Sequence, residues 1–514
     1  MTAMRTTSPF RTALTSDNAL LLYPAIFKLL LHLTTISRYG FFRDELYFIA
    51  CSEHLAWGYV DMAPMVAWVA ALSRWLMGDS LFVLRILPAL AGAALVWLTG
   101  VIARELGGGR SAAFVAQLAV LAGGVYLAIH NFLSMNAFEQ VLWTLAGYLV
   151  IRVINTGNQK LWLWFGVVAG LGLMTKHSTL FFGFSVFVGL VLTPERRAFA
   201  QRWIWIGGAL ALLIFLPNLI WQIQHGWPTI ELLKNVQETG KNIVLSPVEF
   251  QGFMLNPFTA PVWLVGLWFF FFQSAGKRYR MLGWSYLVLL ATFILMEAKD
   301  YYVAPYYPIL MAAGGVAWEP LLRRSKLALT AAAVLLTTSG VLAALLTLPL
   351  LPPEQYLKVM RGVGITPPRN EVSHTSEMPQ HLADQFGWEE MVEKVASVYQ
   401  SLSAAEREKA YIFAGNYGEA GAIDLFGARY GLPKAISGHQ NYFLWGPRGC
   451  SGEVVITVGE PPADVRKSFE EVIETVRPYH PYAMPWENRN PICIARKLKF
   501  ESIEAVWPRV KEYR

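Results

Sequence analysis

The chain has little charge, few cysteines and no metal-binding motif. Lys, Arg, Asp and Glu together make up 15% of its 514 residues, whereas soluble proteins carry about 25%. Its three cysteines form no CxxC pair and its nine histidines no HExxH motif, so the sequence gives no support to a zinc site. The scarcity of charge predicts that most of the chain lies in lipid.

The basic residues do not form a nucleic-acid-binding surface. The net charge is +7, but Lys and Arg cluster in short connections between apolar runs and make no continuous basic stripe. Membrane topology explains this distribution better. No nucleic-acid partner is expected.

Long apolar runs occupy residues 20–351, and residues 352–514 read as ordinary soluble sequence. A helical span needs roughly 20 mostly apolar residues, and about eleven stretches qualify or nearly so. They centre near residues 28, 92, 119, 143, 167, 184, 212, 265, 289, 309 and 338. The pattern predicts an all-α polytopic membrane domain over 1–351 and a small α/β domain over 352–514, with a retained first span and no signal peptide.

The positive-inside rule sets the orientation. With the N-terminus in the cytoplasm, every short cytoplasmic segment receives at least two basic residues: Arg5 and Arg11; Arg104 and Arg110; Arg152 and Lys160; Arg196, Arg197 and Arg202; Lys277, Arg278 and Arg280; Arg323, Arg324 and Lys326. The connections 37–79 and 222–256 and the whole C-terminal domain then face outward, on the extracytoplasmic side.

The outward segments have recognisable local patterns. Residues 44–57 and 64–77 mix apolar and polar side chains at helical spacing, which predicts two interfacial helices in the first outer loop. In the tail, 411–414 and 454–458 are typical of strands, and 388–401 and 465–476 of helices. Gly415, Gly418 and Gly421 do not have dinucleotide-loop spacing and are interpreted as turn and packing glycines.

Cys450 and Cys493 both lie in the tail. An extracytoplasmic tail permits a disulfide between them. Two buried thiols are the favoured interpretation, because sequence cannot show that the side chains meet.

An acidic pair, Asp44 and Glu45, follows the first span. Ionisable groups at this depth are costly and often functional, so one carboxylate could take a proton from an acceptor hydroxyl or amine. The structural alternative is that Asp44 caps the helix that follows. Both oxygen-bearing side chains could also hold a divalent cation, which the sequence leaves open, and no cofactor is otherwise indicated.

A lysine and tyrosines lie at the outer junction of the ninth and tenth predicted spans. Lys299 could stabilise a departing phosphate, with Tyr301 and Tyr302 donating hydrogen bonds in a sugar pocket. The alternative is a snorkelling lysine in an aromatic belt.

Lys176 and His177 interrupt the apolar sequence between the fifth and sixth predicted spans. They could belong to the same anion site, although a lysine at a helix end often serves only as a cation for the helix dipole. All three interruptions fall on the outer side, which favours a shared outward cavity.

These residues resemble a known family. The stretches that carry the resemblance are 43–47, 57–61, 79–80, 85–88, 133–136, 217–221, 226–229, 255–257, 299–302, 416–420 and 444–447. They are similar to family 39 glycosyltransferases of the GT-C superfamily, which include protein O-mannosyltransferases and bacterial lipid A aminoarabinose transferases. The resemblance covers nearly the whole chain.

The resemblance implies an inverting transfer from a polyprenyl-phosphate sugar to a glycolipid, polysaccharide or protein at the membrane surface. Asp44 would be the general base, Glu45 would assist it, and Lys299 would face the donor phosphate. One departure concerns the residues after Asp61: the family commonly has His or Lys before two prolines, and this chain has Met62-Ala63-Pro64-Met65. The acceptor therefore differs, or His54 or Lys176 supplies the missing charge.

Two other functional classes use the same features. A flippase for lipid-linked sugars would bind through the same cations without reacting, but no repeated half is evident. A membrane-anchored binding module would place function in the tail, for which so many spans are excessive.

Overall fold

The computed structural model describes residues 16–238, 251–252, 254–364 and 376–513. Arg5 and Arg11 and most of the second half of the 222–256 connection lie outside these residues. The described chain is mostly helical, with one small sheet.

The helices up to residue 351 follow the apolar pattern. They are α1 Asp17–Leu33, α2 Arg43–Glu53, α3 Met65–Met77, α4 Leu81–Glu105, α5 Arg110–Ala122, α6 Gly124–Ile129, α7 Met135–Thr156, α8 Leu161–Thr175, α9 Thr179–Val191, α10 Arg202–Gln224, α11 Pro228–Glu238, α12 Ala260–Phe272, α13 Arg280–Leu295, α14 Tyr307–Arg324 and α15 Lys326–Thr347. Each predicted span centre falls inside one of them. The helices α2 and α3 confirm the two predicted helices of the first outer loop.

Four helices of the described chain are both long and apolar enough to cross a membrane: α4, α7, α10 and α15. Counting each of two sharply bent pairs as one span raises the number to six. The bends are 108° between α9 and the short helix Pro194–Ala200, and 94° between Pro257–Phe272 and Lys277–Leu295. The apolar helices support a membrane protein, and the number of spans stays a prediction.

The chain divides into two compact units. The first contains residues 1–36, 85–216 and 245–350. Its helices pack closely where glycine removes the side chain: a Cβ on Gly266 would meet the carbonyl of Leu310, and one on Gly314 the carbonyl of Val262. Small residues of this kind let apolar helices pack backbone against backbone, as is typical inside membranes.

The second unit contains residues 37–84, 217–244 and 351–514. Its tail forms α16 Pro353–Val363, α17 Gln380–Ala383, α18 Trp388–Ser401, α19 Ala404–Arg407, β1 Ala410–Ala414, α20 Tyr417–Phe426, α21 Asn441–Trp445, β2 Val454–Val458, α22 Pro462–Ser468, β3 Phe469–Val476, β4 Ile492–Leu498 and α23 Ile503–Val506. Because this unit also includes parts of the first 350 residues, a separate C-terminal domain stays a prediction.

The tail's sheet has the strand order β1-β2-β4-β3, with β1 parallel to β2 and the other pairs antiparallel. The predicted strands 411–414 and 454–458 and the helix 388–401 are confirmed. The predicted helix 465–476 is wrong beyond Ser468, where the chain becomes β3. Val472, Ile473, Thr475 and Val476 are β-branched, and pairing with β4 stabilises the extended form.

The three cysteines of the described chain are buried free thiols. Cys450 packs in the apolar core beside β2, and Cys493 lies on β4. The favoured interpretation of two thiols is confirmed.

Candidate functional site

Asp44 and Glu45 are neighbours at the N-terminus of α2, but their side chains have different surroundings. Glu45 folds back so that its Oε2 accepts a hydrogen bond of 2.9 Å from the backbone N–H of Phe42, and its side chain is buried. This closes the first turn of the helix. Within the described residues Asp44 makes no hydrogen bond to the start of α2, and the side chain that does is Glu45.

Asp44 lies beside Glu45 but is directed toward the tail. Its Oδ1 accepts a hydrogen bond of 2.8 Å from the phenol of Tyr417 and lies 3.8 Å from Arg43 Nε. Its side chain is 33% exposed. Within the described residues no hydrogen bond reaches Oδ2, so only one of the two carboxylate oxygens is held.

Close packing of α20 against α2 brings Tyr417 to Asp44. A Cβ on Gly421 would lie 2.7 Å from the backbone of Leu46, and one on Gly418 would lie 2.5 Å from the Arg43 side chain. The start of α20 is fixed by Asn416, whose side chain accepts hydrogen bonds from the N–H groups of Gly418 and Glu419 at 2.8 and 3.0 Å. Gly418 and Gly421 are therefore packing glycines, as predicted.

Arg43 lies among aromatic and acidic groups. Its guanidinium carbon is 4.7 Å from the centre of the Trp486 ring and 5.5 Å from that of Tyr417. Its Nε lies 4.0 Å from Asp384, whose side chain is fully buried. Stacking on the rings and attraction to the acidic groups together hold the Arg43 guanidinium next to the Asp44 carboxylate.

A second carboxylate of the loop, Asp61, is held by another tyrosine. The Tyr47 hydroxyl donates to Asp61 Oδ1 at 2.9 Å and accepts a hydrogen bond of 3.3 Å from the N–H of Asn441. Burial, with a smaller contribution from the charge of Asp44, raises the pKa of Asp61 to about 7. Asp61 is thus a carboxyl group that changes charge near neutral pH.

The segment that carries Asp61 is fixed by residues distant in sequence. Asn218 Nδ2 donates to the carbonyl of Trp57 at 2.8 Å, and Thr229 Oγ1 donates to that of Val60 at 2.8 Å. From the other side, the N–H of Val60 donates to Asn441 Oδ1 at 2.7 Å. These polar residues, all in stretches that carry or adjoin the family resemblance, therefore position the loop.

His54 lies at the opposite end of α2 from Asp44. Its ring stacks on Trp445 with centres 4.4 Å apart, and its Nε2 lies 3.4 Å from Arg448 Nη2. Burial and the charge of Arg448 lower the pKa of His54. The imidazole is therefore neutral at pH 7 and does not supply a fixed positive charge.

In the first unit, Lys176 is surrounded by polar and aromatic groups. Its Nζ donates to Asn136 Oδ1 at 2.7 Å and lies 3.3 Å from Glu139 Oε2, and the side chain of Glu139 is 2% exposed. The ammonium also lies 3.9 Å from the centre of the Tyr302 ring and 5.0 Å from that of Tyr301. The structure thus joins two predicted groups, the lysine and the tyrosines, and adds a carboxylate that neutralises the lysine.

Lys299 and His177 have different surroundings. Lys299 is exposed at the start of the short helix Asp300–Tyr306, and within the described residues its side chain makes no hydrogen bond or ion pair. His177 is partly buried, with its ring against Phe215 at 5.9 Å. Lys299 is therefore the cation of the first-unit group that remains available to a ligand.

The predicted residues thus fall into two groups, one in each unit. Asp44, Glu45, His54 and Asp61 belong to the second unit, and Lys176, His177, Lys299, Tyr301 and Tyr302 to the first. A cavity shared by both groups stays a prediction. In the part of the chain that the structure describes, no three His, Cys, Asp or Glu side chains come together as a metal site.

Sequence reasoning gave no role to Tyr417 or Tyr47. Tyr417 stood in a stretch that carries the resemblance, but its partner Asp44 lies 373 residues away. No local pattern reveals such a pair. Glu139 was also missed, because it lies inside an apolar helix and its partner Lys176 is not close in the sequence.

Comparison with known sequences finds one matching family model and two curated relatives. The model of dolichyl-phosphate-mannose-protein mannosyltransferases matches residues 61–221, a region that begins after Asp44. A lipid A galacturonosyltransferase, RgtD, from Rhizobium johnstonii is 27% identical over 51% of this chain and 56% of its own length. A polyprenol-phosphate-mannose–protein mannosyltransferase from Corynebacterium glutamicum is 28% identical over 32% of this chain and 38% of its own. The chain thus spans about half or less of the length of these relatives.

Comparison with solved structures extends over almost the whole chain. ArnT from Cupriavidus metallidurans, in a crystal structure bound to undecaprenyl phosphate, aligns with a TM-score of 0.62 at 13% identity and covers 93% of this chain and 98% of ArnT. The apo form aligns with a TM-score of 0.60 at 14% identity, over 92% and 97%. At this identity the match establishes the fold.

Proposed function

We propose that this chain transfers a sugar from a polyprenyl-phosphate carrier to an acceptor. Its family match, its curated relatives and its fold support a GT-C glycosyltransferase similar to family 39. The names of the two curated relatives describe transfer of galacturonic acid and of mannose. The structure of ArnT contains undecaprenyl phosphate. These three findings support the reaction class and leave this chain's own sugar and acceptor open.

The observation that carries the mechanism is the pair of Asp44 and Tyr417. A general base must be oriented, and it must also be open to the group that it deprotonates. Tyr417 holds Oδ1 at 2.8 Å, and the side chain is 33% exposed. Asp44 meets both requirements, whereas Glu45 is buried with one carboxylate oxygen bonded to its own helix.

In the proposed step Asp44 accepts the proton of an acceptor hydroxyl or amine. The acceptor atom forms a bond to the anomeric carbon of the donor sugar, and the bond from that carbon to the phosphate oxygen breaks. Both electrons of the broken bond leave with polyprenyl phosphate, and attack opposite the leaving group inverts the configuration. Glu45 serves as a positioning residue, since it fixes the first turn of α2.

On the donor side, exposed Lys299 is the residue we assign to the phosphate. Lys176 already lies beside the carboxylate of Glu139, so its net contribution to an anion is small. We assign Lys176 to the positioning of Tyr301 and Tyr302, which supply ring surface and hydroxyl groups. His177 lies next to this group and would line it.

We place the reaction on the extracytoplasmic face of a bacterial inner membrane, with the N-terminus in the cytoplasm. The distribution of basic residues supports this orientation. A glycolipid, a polysaccharide and a protein remain acceptors to be tested. A divalent cation at the carboxylates is a further condition to vary in the assay.

The test is sugar transfer by the purified full-length protein in lipid, with a panel of polyprenyl-phosphate sugars and extracted membrane acceptors. Release of polyprenyl phosphate together with a labelled acceptor would support the proposal. Movement of lipid-linked sugar across vesicles without transfer would instead favour a flippase. Absence of both with every donor in the panel would contradict the proposed function.

A further inference from the structure

The second unit contains a cavity at the C-terminal end of α2, at the opposite end of that helix from Asp44. Its volume is about 570 Å³, and it is lined by Glu53, His54, Lys434, Trp445 and Arg448. We call it the His54 pocket. The reaction proposed above gives no role to Lys434, Trp445 or Arg448.

The acids near the His54 pocket already have partners. Glu53 lies 3.1 Å from Arg74 and 2.9 Å from Lys434. Asp424 accepts hydrogen bonds from the N–H of Ala435 at 2.7 Å and from the Tyr442 hydroxyl at 3.0 Å. Glu53 is therefore paired with two cations, and the hydrogen bonds to the Asp424 carboxylate come from neutral donors.

Arg448 is the cation of the pocket with unused hydrogen-bond donors. Its nearest acid is Asp424 at 3.7 Å, beyond hydrogen-bond distance, and within the described residues its one hydrogen-bond contact is the 3.4 Å approach to His54. A guanidinium has five N–H donors and binds the two oxygens of a phosphate or carboxylate in parallel. Most of those donors remain for a ligand.

Trp445 adds an aromatic wall. It stacks on His54, and its ring centre lies 5.8 Å from the Arg448 guanidinium. Aromatic walls with a few convergent polar groups are typical of small-ligand pockets. The combination suits an anionic group on a ring-shaped molecule such as a saccharide.

Packed aromatic rings, of which Tyr47 and Tyr442 are buried, lie in the fold between the pocket and the candidate base. Along α2 the ring centres are spaced 4.8 Å from Tyr417 to Tyr47, 6.4 Å from Tyr47 to Tyr442 and 4.7 Å from Tyr442 to Trp445. Asp44 lies in the first turn of α2 and His54 follows its last residue. At 1.5 Å per residue, they are roughly 15 Å apart along the helix axis.

We propose that the His54 pocket binds a phosphate or carboxylate of the acceptor's saccharide head group, remote from the hydroxyl that Asp44 deprotonates. The proposal rests on the proposed function, since it assigns a second contact to the same acceptor. Arg448 binds the anion, His54 donates or accepts one hydrogen bond, and Trp445 packs against the sugar ring. The pocket selects acceptors that carry negative charge.

The test compares two acceptors that differ only in charge: a short-chain disaccharide glycolipid with one phosphate and its dephosphorylated form. A disaccharide glycolipid with a uronic-acid carboxylate provides the second anion. KM and kcat are measured for wild type, Arg448→Met and His54→Gln, with Arg429→Met as control. Arg429 is an exposed arginine of the same unit, paired with Glu389 at 3.4 Å and outside the pocket.

We expect Arg448→Met to raise KM for the charged acceptors about 10-fold, which corresponds to about 1.4 kcal/mol, with kcat within about 2-fold. KM for the uncharged acceptor should not change in Arg448→Met or in Arg429→Met. His54→Gln, which removes the ring but keeps a polar group, should raise KM about 3-fold, and Arg429→Met should match wild type. Equal KM changes for charged and uncharged acceptors would overturn the proposal.

A binding measurement separates this proposal from the proposed function. Titration of full-length wild type with the phosphorylated disaccharide should show saturable binding that Arg448→Met weakens, whether or not transfer occurs. Inorganic phosphate should compete only weakly, because it lacks the ring that Trp445 contacts. Competition by inorganic phosphate as strong as that by the disaccharide phosphate would mean a simple phosphate site, and retention of full disaccharide affinity in Arg448→Met would also contradict the proposal.

Discussion

The phenol of Tyr417 donates a hydrogen bond of 2.8 Å to Oδ1 of Asp44, although the two residues are 373 positions apart. The tail thereby orients the candidate base in the 37–79 connection. Because the bond involves only one carboxylate oxygen, it fixes the direction of the other. The tail is therefore part of the candidate active site.

Tyr417→Phe should lower kcat about 10-fold or more and leave KM for the donor within about 2-fold. A hydrogen bond to a charged group is worth about 1.5–3 kcal/mol, and without it the carboxylate rotates away from the acceptor. Steady-state transfer assays measure the change. The matched control is Tyr430→Phe, which removes a hydroxyl that contacts Glu393 on the surface; an equal loss in both variants would show that only stability had changed.

Asp61→Asn should change how stability depends on pH. The folded protein keeps the Asp61 proton up to about pH 7, whereas an unfolded chain releases it near pH 4. This group's stabilising contribution is therefore complete below about pH 4 and is lost as the pH rises through 7. Asn keeps the acceptor for Tyr47 and removes the titration.

The measurement is the thermal unfolding midpoint of wild type and Asp61→Asn from pH 5 to 8. The midpoint of the variant relative to wild type should rise over this range by about 2 °C or more. Asp79→Asn, which changes an exposed carboxylate paired with Arg74, should run parallel to wild type. A constant difference between Asp61→Asn and wild type would mean that Asp61 does not titrate there.

The features that sequence predicted are those set by local composition. Apolar runs located the helices, because hydrophobicity acts along a continuous stretch. The sequence also suggested a capped start for α2, with Asp44 as the capping candidate. The folded structure shows that Glu45, not Asp44, bonds the backbone at the start of α2, and it leaves Asp44 partly exposed.

The features that sequence missed depend on contacts between distant residues. Residues 465–476 were predicted as helix, but residues 469–476 pair with β4 and form the strand β3. The sequence analysis treated Lys176 as an unpaired cation, because its partner Glu139 lies in a preceding apolar helix. In both cases the deciding partner is remote in the chain.

Lys176→Met should destabilise the protein strongly, because it leaves the carboxylate of Glu139 buried without a cation. Breaking a buried pair in this way costs about 3–5 kcal/mol. Thermal unfolding in detergent measures the loss. Adding Glu139→Gln removes the unpaired charge and should recover much of the stability; a double variant no better than the single one would contradict the pairing.

Lys299→Met should leave stability within about 0.5 kcal/mol of wild type, as for other exposed residues. We expect KM for the polyprenyl-phosphate sugar to rise about 10-fold, because a charge that faces the phosphate is lost. Donor-dependence kinetics test this. Lys326→Met, an exposed lysine at the start of α15, is the control, and equal effects on KM in the two variants would remove Lys299 from the donor site.

The most direct test of the account is the transfer rate of Asp44→Asn beside wild type, with Asp79→Asn from the same loop as control. Asn preserves the size of the side chain and its acceptor for Tyr417 but cannot take a proton. We predict a fall in kcat of at least about 100-fold, with donor binding retained and Asp79→Asn fully active. Equal transfer rates for Asp44→Asn and wild type would contradict the assignment of Asp44 as the base.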